Sequence, residues 1–158
     1  NVLVMGVGNS LMRDDGVGIR VIEALRQNPE THPSLHLVDG GTIGLALLPQ
    51  LEDADAVIVV DASELGAAPG TVRVLRNEEI DKQLNANRRS VHEVALLDLF
   101  AAASMRGTLP EHRALVGLQP GDTDWGDQCT PPVEKAIGEA CDAIQNMASA
   151  WMQTEAVA

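Results

Sequence analysis

The chain has 158 residues, 45% of them apolar, enough to bury a core and about the size of one ordinary domain. Eleven Lys and Arg stand against 23 Asp and Glu, a net charge of −12, which would repel phosphate backbones and anionic membrane surfaces and so argues against nucleic acid and lipid headgroups as partners. No apolar run approaches the ~20 residues that span a bilayer, and the chain opens as a strand entering a glycine turn rather than as a signal peptide, so a soluble, cytoplasmic protein is expected.

In chain order, a strand is predicted at Val2 to Val7, then a helix at about Gly16 to Gln27, a strand at Leu35 to Val38 and a helix at Ile43 to Leu51. A third strand follows at Ala56 to Val60 and a fourth at Thr71 to Leu75, then a helix at Val91 to Met105, a strand at Ala114 to Leu118 and a closing helix at Pro132 to Met152. Short β-branched runs alternating with amphipathic ones mark a sheet layered by helices. Only Ala62 to Gly70 separate the third and fourth strands, and Ala67-Ala68-Pro69-Gly70 reads as a turn rather than a crossover helix. The fourth strand is therefore expected to be antiparallel, at an edge of an otherwise parallel five-stranded sheet. Residues 1–158 read as a single domain, with the tail Gln153 to Ala158 frayed.

The two cysteines are too few for a disulfide framework and too far apart for a CxxC pair, which fits a reducing compartment. Cys141 falls on the helical stripe Val133, Ala136, Ile137, Ala140, Cys141, Ile144, Ala148 and Trp151 and is expected in the core. Cys129 lies in a polar loop without a histidine nearby in sequence, and reads as an ordinary thiol rather than a nucleophile.

Ligands of open α/β sheets bind beyond the carboxyl ends of the parallel strands, and three strand ends here carry acids. The first runs into Gly6-Val7-Gly8-Asn9 and Asp14-Asp15, the second ends on Asp39-Gly40-Gly41, and the third on Asp61. The fourth polar element is His92 in Ser90-Val91-His92-Glu93, whose S-x-x-E spacing is that of a capping box, with Ser90 as N-cap. In a first helical turn the dipole favours a neutral imidazole with a lone pair free for a metal. The stretch from Arg76 to Ser90 reaches ~50 Å when extended, ample for a return to the acidic rim. Asp15, Asp61 and His92 then offer two carboxylates and one imidazole, a set suited to zinc, nickel or another first-row divalent ion. The plainer readings are that Asp15 caps the following helix, Asp61 binds loop amides and His92 is solvated. Asp39 with Gly40 and Gly41 is a candidate substrate contact, with a competing role for Asp39 in bracing its own loop. Asp98, in a helix apolar nearly all round, calls for a partner, either the site or an arginine. His32, His36 and His112 read as surface residues. Trp125, in the acidic loop Gly121 to Gln128, would either cover a bound peptide or, more commonly, pack down on its own loop.

The runs VLVMGVGNSLMRDDGVG, VDGGTIGLALL, AVIVVDA, APGTVRVL and SVHEVALLDLF, in that order and at those distances, resemble the nickel-iron hydrogenase maturation endopeptidases over most of the chain. The resemblance implies a three-layer α/β/α sandwich and an endopeptidase that removes a short C-terminal extension from a nickel-iron hydrogenase large-subunit precursor after nickel insertion. It implies Asp15, Asp61 and His92 as catalytic, metal-contacting residues, with nickel held by cysteines of the precursor as the recognition signal. Two positions depart from the family's usual pattern, since many relatives carry Glu where Asp15 stands and Gly where Ala95 stands. A metal that polarises the scissile carbonyl and acidifies water suits a peptidase without G-x-S-x-G or H-E-x-x-H.

Two other classes compete. Gly6-Val7-Gly8 after a strand, with Asp39 ending the next, resembles a dinucleotide-binding oxidoreductase, but Leu11 fills the third glycine position and Asp14 and Asp15 would face the pyrophosphate. A non-catalytic nickel chaperone would use the same ligands and leave the precursor's mass unchanged.

Overall fold

The computed structural model describes residues 1–41, 44–86 and 91–157, the last three as backbone only. Val2–Val7 (β1) is buried at every position, as a strand covered on both faces must be. It pairs in parallel with Leu35–Gly41 (β2) on one side and Ala56–Ala62 (β3) on the other. His112–Leu118 (β5) runs parallel to β3, and Val72–Arg76 (β4) closes the edge antiparallel to β5. The order β2-β1-β3-β5-β4 is the expected mostly parallel sheet with one reversed edge strand.

Period-two alternation divides the core. Val2 and Val4, Ile58 and Val60, and Val116 and Leu118 pack under Val17–Gln27 (α1) and Pro131–Val157 (α5), while Leu3 and Met5, Val57 and Val59, and Leu115 pack on the other face. That second face is covered by Leu48–Asp53 (α2), Glu78–Ala86 (α3) and Val91–Met105 (α4). The sandwich thus has helices on both sides of the sheet. No helix among the described residues is long and apolar enough to cross a membrane.

Several boundaries differ from the sequence reading. β2 and β3 run on to Gly41 and Ala62 because their ladders continue, Gly6 pairing with Asp39 and Asp61 with Gly117, so both acids are strand residues. A 3-10 turn, Arg13–Gly16, precedes α1, and another, Leu45–Leu47, precedes α2; Ile43 lies outside the described residues. α3 was not anticipated: it buries only Ile80 and Leu84, an i,i+4 pair inside what reads as a polar connection. α5 continues through Val157 where fraying was expected, one helix carried by the stripe of Ile144, Met147, Ala148 and Trp151. Cys141 packs beside that core, half-buried, its Sγ 3.9 Å from the Val21 carbonyl oxygen.

Two glycines set the approach of α1 to the sheet. A Cβ on Gly18 would collide with the carbonyl oxygens of Val60 and Val7, and Gly8, at φ +127, would collide with the Asp15 carbonyl. The Asp14-Asp15 turn is therefore drawn tightly over the ends of β1 and β3.

Candidate active site

The register fixes where the acids stand. Gly6 pairs with Asp39 in β2 and with Val60 in β3, so Asp39 and Asp61 stand near the carboxyl ends of their strands on one rim, beside the loop that carries Asp15. Asp61 shares the phase of Val57 and Val59 and so faces the layer of α4. It is 4% exposed. α4 buries Glu93, Leu96, Leu99, Phe100 and Ala103, a stripe at helical spacing, which sets its first turn against that rim. Val91, Val94 and Asp98 are exposed. Asp98 therefore needs neither a site nor an arginine, contrary to the sequence expectation.

The structure brings His92 to Asp15, with Nε2 3.5 Å from Oδ2. The same Asp15 oxygen accepts the Asn9 N–H at 3.0 Å, whereas the N-cap position Gly16 makes no side-chain cap, so Asp15 does not cap α1. The hydrogen bond and charge of Asp15 raise the His92 pKa against the lowering effect of burial. The direction runs against the expectation of a neutral ring, because a carboxylate in contact favours the imidazolium. Ser90, the expected N-cap of the capping box, lies outside the described residues.

Its other member has a different place. Glu93 is 8% exposed, and its Oε2 is buried without a hydrogen-bond partner among the described residues. Burial, then the charge of Asp15, push its pKa up to about 7, with His92 opposing. The Asp61 pKa is raised well above the ordinary carboxylate range by burial, then by the charges of Asp15 and Glu93, with the Ala62 N–H opposing. Three carboxyl groups and one imidazole thus share one electrostatic site. Sequence reasoning missed Glu93 by treating it as a capping partner; the phase of Leu96, Leu99 and Ala103, extended back one turn, is the signal that places it inside. Among the described residues no three His, Cys, Asp or Glu side chains converge to metal-holding distance. The donor types nevertheless suit a divalent first-row ion.

Asp14 has a separate task. Fully buried, it accepts hydrogen bonds from the backbone N–H groups of Gly121, Asp122 and Thr130 and from the Thr130 hydroxyl, at 2.7–3.0 Å. Burial alone would raise its pKa, but these bonds lower it. Arg13, at φ 46, adds an ion pair to Asp122 at 3.0 Å and a hydrogen bond to the Trp125 carbonyl. Together they pin the β5–α5 loop over the first turn.

Asp39 gives one oxygen to the Gly41 N–H at 3.0 Å, the loop-bracing role. Gly40 and Gly41 are partly exposed beside it. His32 and His36 are exposed as expected, but His112 is not a free surface residue: it stacks on Trp151 with ring centroids 5.4 Å apart. Trp125 is 73% exposed rather than packed down on its loop. A cavity of about 700 Å³ between α1, α5 and residues 127–129 shares none of the rim acids. Its Cys129 thiol is pushed up to about 11 by burial and by Asp14 and Glu134, which removes it as a nucleophile near neutral pH.

Comparison with known proteins matches this architecture to one group. The family model described as HycI, hydrogenase maturation protease, covers residues 19–147. The hydrogenase expression/formation protein HupD of Bradyrhizobium diazoefficiens is 36% identical over 151 residues, 95% of this chain and 79% of that protein. The hydrogenase 2 maturation protease of Escherichia coli is 36% identical over 144 residues, 90% of this chain and 87% of that protein. The solved structure of the hydrogenase-maturating endopeptidase HybD from Escherichia coli superposes with a TM-score of 0.83 at 35% identity, over 91% of this chain and 89% of that one. Sequence and fold agree, and the chain belongs to the hydrogenase maturation protease family.

Proposed function

We propose that the chain is a cytoplasmic endopeptidase that removes the C-terminal extension of a nickel-iron hydrogenase large-subunit precursor, and that nickel carried by the precursor is its recognition signal. The carrying observation is the contact of His92 with Asp15, in whose field Asp61 lies buried near the end of β3, at the carboxyl rim of a chain in this family. Two free cysteines fit a reducing compartment.

The metal belongs to the substrate in this reading. Asp15, Asp61 and His92 would contribute donors to it, and its charge would polarise the scissile carbonyl and acidify water. Burial, then the charges of Asp15 and Glu93, raise the Asp61 pKa and so favour its protonated form before docking. The charges of Asp15 and Glu93 would attract a divalent cation, whose binding to Asp61 would compete with that proton. Gly40 and Gly41 offer exposed backbone to the passing chain, and the bond from Asp39 to Gly41 keeps that turn in shape. The dinucleotide reading loses its footing, because Asp14 and Asp15 occupy the turn after β1 where a pyrophosphate would need donors.

The test is intact mass analysis after incubation with nickel-loaded and nickel-free precursor. Loss of a C-terminal peptide only from the loaded form is expected. Binding without a mass change would replace the protease reading with a nickel chaperone.

A further inference from the structure

A buried carboxyl is ordinarily accounted for by the donors around it, because one left without a partner costs free energy. Asp14 shows that solution, its oxygens filled by backbone and hydroxyl donors. Glu93 does not. It is 8% exposed, and its Oε2 is buried with no hydrogen-bond partner among the described residues.

Its position makes the cost plain. α4 buries Glu93, Leu96, Leu99, Phe100 and Ala103, so a carboxyl stands where the stripe calls for an apolar side chain. Asp61 reaches the same layer from the sheet, in the phase of Val57 and Val59, and is itself buried. The charge of Glu93 acts on Asp61 and on His92, and that of Asp15 acts on Glu93. Asp15 and His92 are the outer members of this group, with side chains 27% and 17% exposed. Glu93 and Asp61 are the inner ones.

We propose that Glu93 is a fourth donor of this site, its carboxylate giving an oxygen to the divalent metal that the substrate brings to Asp15, Asp61 and His92. The inference rests on the function proposed above and adds a residue to it. A divalent cation is the partner whose chemistry answers the group. Carboxylates gathered out of water repel one another, and a dication offsets that repulsion for all of them together. A backbone N–H from the substrate would satisfy one oxygen and leave the repulsion in place. Carboxylate and imidazole together are donors that a first-row ion accepts. Among the described residues no three such side chains converge to metal-holding distance, so the set closes only as side chains turn. Glu93 is suited to that, being one methylene longer than either aspartate and having no hydrogen bond on Oε2 to give up.

Ni²⁺ alone is the probe, so that binding is read apart from cleavage. In isothermal titration calorimetry, Glu93→Gln and Glu93→Leu should each raise the Kd for Ni²⁺ on the order of tenfold or more, at least the cost of losing a residue that merely supports a ligand. Asp98→Asn removes an exposed acid of the same helix and should match wild type, which separates a ligand from the general attraction of an acidic surface. Without metal, Glu93→Leu extends the apolar stripe and should melt above wild type. Ni²⁺ should raise the Tm of wild type more than that of either variant. A carboxyl kept for the fold alone would do the reverse, with a lower Tm in Glu93→Leu and an unchanged Ni²⁺ affinity. If wild type leaves nickel-loaded precursor intact while the Glu93 variants lose Ni²⁺ affinity, the protease reading falls and Glu93 stands as a donor. Equal Ni²⁺ affinities in wild type and both variants, an equal loss in Asp98→Asn, or no Ni²⁺ binding by wild type would overturn the inference.

Discussion

Asp14 and Asp15 are neighbours with opposite duties, and the difference lies in what surrounds each carboxylate. Asp14 is fully satisfied by donors from the β5–α5 loop. An amide there has one acceptor oxygen and would turn its own NH2 against the remaining N–H groups, so Asp14→Asn should cost about 3 kcal/mol, the scale of lost hydrogen bonds to a charged group. Because folding lowers this pKa below its ordinary 3.8, the stabilisation is complete above about pH 5, and protonation removes it as pH falls below the ordinary value. The gap in Tm between wild type and Asp14→Asn should close in acid. Asp61 has the reverse sign. Folding raises its pKa, so it destabilises the protein as pH rises, and Asp61→Asn should melt at or above wild type at neutral pH while failing to cleave nickel-loaded precursor. Thermal melts across pH beside the cleavage assay check both variants. A Tm that drops with Asp61→Asn and holds with Asp14→Asn would reverse the assignment. The acids and His92 were legible in the sequence because glycines, strand ends and the resemblance pointed to them. Asp14 and Glu93 were not. Their roles depend on donors from a loop some hundred residues away and on the rotation of a helix about its axis, neither of which is written locally.

At the scale of elements, glycines tell helix positions under contact from positions in open space. Gly18 lies where α1 crosses β1 and β3, and the carbonyl oxygen of Val7 would be 2.6 Å from an added Cβ. Gly18→Ala gains about 1 kcal/mol of helix propensity but must displace backbone, an overpacking that costs typically 1–3 kcal/mol, so a net loss in Tm is expected. Gly138, exposed in α5, has nothing within 4 Å of an added Cβ, and Gly138→Ala should raise Tm by the equivalent of about 0.5–1 kcal/mol. Equal effects of the two substitutions would show that α1 is not wedged against the sheet. Elements with a strong period were legible from the residues alone: β1 and α4 have the predicted bounds, and the short turn at Pro69-Gly70 marked β4 as reversed. α3 was illegible because two apolar residues in nine are too few to reveal a period; its helical state comes from packing Ile80 and Leu84 into the core under α4.

Over the whole molecule, the protein is strongly acidic, the candidate site residues lie on one rim, and the described donors do not converge on a metal site of their own. A general protease needs a complete catalytic set whatever chain arrives. In the proposed function the positive centre comes with the substrate, so selectivity should follow from chemistry rather than from exclusion by charge. Casein alone would be a poor test, since two acidic proteins repel each other in any case. Reduced, unfolded lysozyme is basic and offers many extended segments, and the acidic rim should attract it. It should nevertheless remain intact, because attraction supplies neither the metal nor a bond held over Asp15 and Asp61. Raising salt should weaken that encounter without producing cleavage, as screening acts on exposed charges beyond about 8–10 Å. Mass spectrometry of lysozyme and of nickel-loaded precursor, incubated side by side, checks the outcome. Efficient fragmentation of lysozyme would show that the rim is catalytically complete by itself and that the metal-bearing substrate is not required.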